Sequence, residues 1–141
     1  MSEIITSGEV ISRYLGITFL HMGRDPQKGL DCYGLIKCVY RDFLGVELMD
    51  IEEYGKYWFL MGERYFLDNY TVQFDEVKSG DTKIFDVVLF NCAHGEANHA
   101  GVVLDRMRFI HANKAGVTVN KFTQRYWKEH TVGFFRLKGR T

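Results

Sequence analysis

His99-Ala-Gly-Val-Val-Leu-Asp-Arg-Met-Arg-Phe-Ile-His111 holds two apolar runs, His99 to Leu104 and Arg108 to His111, on either side of the polar Asp105-Arg106. That is the pattern of an antiparallel hairpin. The loop count decides what the hairpin does with its histidines. If three residues, Asp105 to Met107, form the loop, Leu104 pairs with Arg108 and Gly101 faces His111. His99 then lies one diagonal away on the same side, and the imidazoles meet. A two-residue loop at Asp105-Arg106 sends them to opposite faces, because side chains alternate with a period of two. In the first register Gly101 is expected to leave room for another element, with the helix that carries Cys32 as the candidate.

Around this hairpin, Ile84 to Phe90, Ala100 to Leu104, Arg108 to Ala112, Val117 to Phe122 and Val132 to Leu137 are short apolar or alternating runs separated by turn residues, so the second half is predicted as strands. The first half reads differently. Val10, Ile11, Tyr14 and Leu15 fall at helical spacing, with Ser7 available as a cap and Gly16 as the stop. Gly23, Asp25, Pro26 and Gly29 mark a loop. From Asp31 onward, Leu35, Ile36, Val39, Tyr40, Phe43 and Leu44, closed by Gly45, predict an amphipathic helix. Residues 46 to 74 carry Tyr54, Tyr57, Trp58, Phe59, Tyr65, Phe66 and Tyr70 without a clear period, as core or as the wall of a groove. Helices followed by an antiparallel sheet make an α+β fold with the helices on one face of the sheet, in a single domain spanning 1–141.

The chain has 141 residues, 46% hydrophobic, enough for one core without staples. Its 18 Lys and Arg balance 18 Asp and Glu, so charge points to neither nucleic acid nor an anionic membrane as partner. Cys32, Cys38 and Cys92 are an odd set in a chain too long to need a disulfide framework, and read as reduced thiols. The first residues lack a basic region followed by an apolar run, and no stretch approaches the ~18 apolar residues of a spanning helix. The expectation is a chain made in the cytoplasm without a signal peptide.

Asp31 and Cys32 stand where the glycine-rich loop turns into the helix, with Asp31 as N-cap and Cys32 in the first turn. A helix N-terminus and a nearby imidazolium both favour thiolate over thiol, so Cys32 is a candidate nucleophile. Its first-turn amide is a candidate oxyanion donor. The alternative is a small buried hydrophobe, the reading also given to Cys38. A catalytic cysteine needs a histidine brought close by the fold, and His94, His99 and His111 fall in the strand-rich half. In the favourable register His99 is the base and His111 orients it, as the acid does in a serine triad; otherwise His111 is a half-buried strand residue. Cys92, His94, His99 and His111 together suggest a metal cluster, but their spacing fits no standard zinc pattern, and neither metal nor cofactor is expected. His21, ahead of the nucleophile, is either a surface residue or part of a cleft.

Gly23-Arg-Asp-Pro-Gln-Lys-Gly-Leu-Asp-Cys-Tyr-Gly-Leu-Ile36, then Asp86-Val-Val-Leu-Phe90, His99-Ala-Gly-Val-Val-Leu104 and Phe109-Ile-His-Ala112 resemble, in order and spacing, the NlpC-type papain-like cysteine peptidases. The likeness spans nearly the whole chain. Tyr33 in place of the commoner serine, the Gly23-Arg-Asp-Pro26 lead-in and the ending from Trp127 through Arg136 look most like the phage and prophage tail-associated branch. The resemblance implies a peptidoglycan stem peptide as substrate, cut after D-γ-glutamate towards a diamino acid, with phage tail proteins as partners and a virion tail as the setting. It implies Cys32 as nucleophile, His99 as base and His111 as the third member. Many relatives have a tyrosine ahead of the nucleophile loop whose hydroxyl assists the oxyanion; the matching position here is Phe19. Tyr33 or the backbone must then supply the donor, and Tyr33, Phe19 and His21 are the substrate-binding candidates. A non-catalytic tail module that keeps the fold and a CHAP-type amidase are the alternatives.

Overall fold

The computed structural model describes residues 6–49, 73–92 and 99–140. Helix α1 (Ser7–Tyr14) is capped by Thr6, whose hydroxyl accepts from the Glu9 N–H, one residue ahead of the expected cap. Ser7 lies inside the helix and donates to the Leu104 carbonyl at 2.6 Å, tying α1 to the sheet. The loop after it forms a small hairpin of β1 (Arg24–Asp25) and β2 (Gly29–Leu30). Helix α2 (Cys32–Val39) follows directly and widens into a π-helical turn over Tyr40–Leu44, which Gly45 ends in the left-handed region at φ 65°. The predicted single helix is thus two helical geometries in series. The aromatic residues from Tyr54 to Tyr70, and His94, lie outside the described residues.

The second half is a six-stranded antiparallel sheet of β3 (Phe74–Val77), β4 (Val87–Phe90), β5 (His99–Val103), β6 (Arg108–Asn113), β7 (Gly116–Lys121) and β8 (Thr131–Leu137), in the order β3-β8-β4-β5-β6-β7. The run from Ile84 enters the sheet only at Val87, because Phe85 takes a left-handed φ of 77° and the Asp86 carboxylate accepts from the Lys83 N–H. Asp86, fully buried, receives a bidentate pair from Arg136 on β8 at 2.9 and 2.8 Å.

Strand alternation sorts the sheet into two faces. Val87, Leu89, Ala100, Val102, Ile110 and Ala112 share a core with Leu35, Ile36 and Val39 of α2. Val88, Phe90, Val103 and Phe109 form a second cluster under Trp127, which belongs to a short helix α3 (Arg125–His130) that the strand pattern does not announce. Among the described residues no helix is long and apolar enough to cross a membrane.

The hairpin adopts the three-residue loop. Val102 pairs with Ile110 and Val103 with Phe109, while the Leu104 N–H reaches the Arg108 carbonyl at 2.9 Å. Asp105 shapes the loop by accepting from the N–H groups of Met107 and Arg108 and clasping the Arg108 guanidinium. The expectation for Gly101 is corrected. A Cβ there would lie 3.0 Å from the Ile110 carbonyl and 3.2 Å from both His111 and the Phe109 ring, so the space is filled from β6. Helix α2 packs on the other face of the sheet, against β5 and β6.

Candidate active site

Asp31 builds the start of α2. One carboxylate oxygen accepts from the Gly34 N–H at 2.8 Å and from the Arg24 guanidinium at 2.8 Å, and the other from the Met22 N–H at 3.0 Å. An aspartate that caps and pairs at once stays buried because its lone pairs are used. Met22 adopts φ 61° to deliver its amide, a conformation that a non-glycine residue holds only where its surroundings enforce it. The loop also passes very close to the helix: a Cβ on Gly34 would fall 1.9 Å from the Gly23 carbonyl oxygen, so only glycine fits. These interactions place Cys32, 4% exposed, with its sulfur on the backbone N–H of Ala100, the residue after His99.

The histidines form a row on the opposite face of the strands. His99 Nε2 lies 2.7 Å from His111 Nδ1, and His111 Nε2 lies 2.7 Å from Asn120 Oδ1. Asn120 Nδ2 then donates to Gln124 Oε1 at 3.0 Å. His99, His111 and Asn120 are diagonal neighbours on β5, β6 and β7, within reach of long side chains across each strand pair. Trp127 covers the row, its ring centroid 4.8 Å from that of His111 and 6.0 Å from that of His99.

This enclosure sets the protonation states. Burial pushes His99 down to about 3, helped by repulsion from His111, and burial pushes His111 down to about 4 against the opposing bond from Asn120. Both rings are neutral at pH 7. Burial also raises the Cys32 thiol, with the nearby Asp31 carboxylate adding to the effect, while the Ala100 amide opposes it. The sequence expectation of a thiolate at the helix start is therefore reversed: desolvation outweighs the helix terminus, and the resting pair is thiol and imidazole.

Among the substrate-binding candidates, Tyr33 is corrected. Its side chain is fully buried and its hydroxyl donates to the Met49 carbonyl and accepts from Gln73, so it belongs to the core rather than to a site wall or an oxyanion donor. Phe19, half-buried, makes a parallel bridge with Leu30, which sets it beside the residues leading to Cys32. His21 is half-buried in the same loop. Cys38 is buried with its thiol on the Arg24 carbonyl, the core position expected for it. In the suggested metal set, the facing nitrogens of His99 and His111 are engaged with each other, and Cys92 is half-buried at the end of β4.

Asn120 and Gln124 escape the sequence reading, although a signal for Asn120 is present. Asn113-Lys-Ala-Gly116 is a two-residue hairpin turn, and it pairs His111 with Thr118 and Phe109 with Asn120. Counting that register in the same way as the first hairpin puts Asn120 diagonal to His111.

The family model described as NlpC/P60 matches residues 16–136. The chain is 29% identical over 130 residues to a gamma-DL-glutamyl hydrolase of Bacillus subtilis, an alignment covering 92% of this chain and 28% of that protein. It is 25% identical over 130 residues to the murein DD-endopeptidase MepH of Escherichia coli, covering 90% and 43%. The chain thus spans less than half the length of these relatives. Among solved structures, an NLP/P60 family protein of Staphylococcus aureus described as similar to lipoprotein aligns with a TM-score of 0.72 at 20% identity, over 99% of this chain and 44% of that one. The NlpC/p60 domain of the peptidoglycan hydrolase SagA aligns with a TM-score of 0.56 at 20% identity over 93% and 97%, which makes it a fold of this same extent.

Proposed function

The chain belongs to the NlpC/P60 family, and from that premise we propose that it is a cysteine endopeptidase acting on bacterial cell-wall peptides, with Cys32 as nucleophile, His99 as base and His111 as the group that orients the base. The observation that carries this reading is the hydrogen-bonded row from His99 through His111 to Asn120, whose head adjoins the amide that holds the Cys32 sulfur. With His99 Nε2 committed to His111, Nδ1 is the nitrogen that exchanges protons with the thiol.

Because thiol and imidazole are both neutral at rest, proton transfer accompanies attack. Sulfur bonds to the substrate carbonyl carbon as its proton passes to His99, and the oxyanion is received by the backbone N–H of Cys32. Collapse of the tetrahedral intermediate expels the amine, which takes the proton from the imidazolium. Water, deprotonated by His99, then attacks the thioester, releasing the acid and restoring the thiol. His111 stays hydrogen-bonded to the imidazolium throughout.

The bond assigned is the one after D-γ-glutamate towards a diamino acid. The names of the relatives divide between γ-glutamyl hydrolysis and murein DD-endopeptidase activity, so fragment masses are the deciding readout. Digestion of purified peptidoglycan is expected to release peptides ending in D-γ-glutamate, with none from Cys32→Ala. Equal release by Cys32→Ala would remove the cysteine from the mechanism. No release by either would leave the fold as a non-catalytic module, such as a part of a phage tail. The phage setting itself rests on the likeness carried by Tyr33, the Gly23-Arg-Asp-Pro26 lead-in and the ending from Trp127 through Arg136.

A further inference from the structure

We propose that Asn120 and Gln124 are positioning residues that dictate which nitrogen of each histidine carries its proton, so that His99 meets the thiol with a bare Nδ1. The catalytic consequence rests on the peptidase reading above, although the proton arrangement itself follows from the hydrogen bonds together with the neutral state of both rings.

One group in the row has a direction that is certain. The Lys121 backbone N–H, at the end of β7, is a donor, and it points to Gln124 Oε1 at 2.7 Å. The turn is closed by the Gln124 N–H on the Lys121 carbonyl at 3.2 Å, which holds the side chain over that amide. Gln124 must therefore present its oxygen, and the Asn120 atom 3.0 Å from that oxygen must be the donor, Nδ2. Asn120 then turns Oδ1 to His111, and the 2.7 Å separation makes His111 Nε2 the protonated nitrogen. His111 is neutral, so its Nδ1 is bare and accepts from His99 Nε2–H at 2.7 Å. His99 is neutral too, which leaves its Nδ1 with a lone pair. One backbone amide thus orients four side chains in sequence.

The opposite arrangement shows what is at stake. Without the Gln124 oxygen to hold it, the Asn120 amide is free to turn over and offer Nδ2 to His111. His111 would then carry its proton on Nδ1, His99 would have to accept at Nε2, and the His99 proton would sit on Nδ1, the nitrogen that the proposed mechanism needs bare. That state has no base for the sulfur. Gln124 is exposed, so it can be replaced without opening the core.

The test uses protein with 15N-labelled histidine at pH 7, in which two-bond proton–nitrogen correlations assign each tautomer, beside steady-state cleavage of a soluble stem peptide. In the wild type both His99 and His111 are expected as the Nε2–H form. In Gln124→Met a population of Nδ1–H appears at both, and kcat falls about tenfold, the worth of one neutral hydrogen bond, at unchanged KM. Gln124→Glu, whose carboxylate can only accept, returns the wild-type tautomers and restores the rate that Gln124→Met gives up. A wild-type spectrum with Nδ1–H at His111, or Gln124→Met with wild-type tautomers and kcat, would overturn the proposal. The tautomer readout needs no substrate: a wild type with the expected spectrum but no cleavage supports the positioning and refutes only the peptidase reading.

Discussion

Burial keeps the Cys32 proton on its sulfur and keeps both histidines neutral, so the proposed mechanism starts from a neutral thiol and imidazole rather than from an ion pair. A thiol raised above its ordinary 9.0 is a poor free nucleophile at neutral pH. Alkylation of Cys32 by iodoacetamide is therefore expected to keep accelerating through pH 9 with no plateau, followed peptide by peptide so that Cys38 and Cys92 are counted separately. A plateau at or below neutrality would mean a resting thiolate and would sink the neutral-pair reading. Cys32, His99 and His111 are legible in the sequence, because a helix start and a hairpin register are local patterns. Their protonation is not, since it depends on how much water the packed chain excludes, and Tyr33 misleads for the same reason: nothing next to it in sequence announces that its hydroxyl is spent on Met49.

At the scale of elements, the site hangs on how α2 begins. Asp31 holds the first turn, the Met22 amide and the Arg24 guanidinium together, with Asp31 side-chain exposure at only 5%. Removing one partner of a buried pair strands the other, so Asp31→Ala is expected to cost about 3–5 kcal/mol in urea unfolding. Asp31→Asn, which keeps the cap, should cost less. A change within ~0.5 kcal/mol for Asp31→Ala would show that the junction does not anchor the helix. In the sequence the glycines of this segment read as generic loop punctuation; the structure gives Gly34 a specific task, since the Gly23 carbonyl occupies the place of its Cβ. Helix α3 is not legible at all. Its six residues are too few for a helical period to stand out, and what holds them is Trp127 packing on Phe90, Phe109 and His111, residues distant in the chain.

For the whole molecule, the enclosed histidines couple the site to the stability of the fold. His111 titrates near 4 folded and near the ordinary 6.5 unfolded. Below 6.5 the unfolded chain binds the extra proton, so the stabilisation is complete above 6.5 and is lost as pH falls toward 4. The loss is about 1.4 kcal/mol per pH unit over that window. Urea midpoints at pH 7, 5.5 and 4.5 should fall in that order, and His111→Gln, which cannot titrate, should show a shallower decline. Identical slopes in the two proteins would remove His111 as the source. What the sequence by itself determined was the α+β order, the central strands and the two registers between which the first hairpin must choose to set His99 and His111 on one face or on opposite faces, because alternation and loop counting act between residues close in the chain. Only the tertiary structure decided that the first hairpin takes the three-residue loop, that α2 packs on the opposite side of the sheet from the histidine row, that Gly101 is filled from β6, and that Cys32 and His111 are buried. Those facts come from which surfaces bury one another, and desolvation is a property of the packed chain rather than of any segment within it.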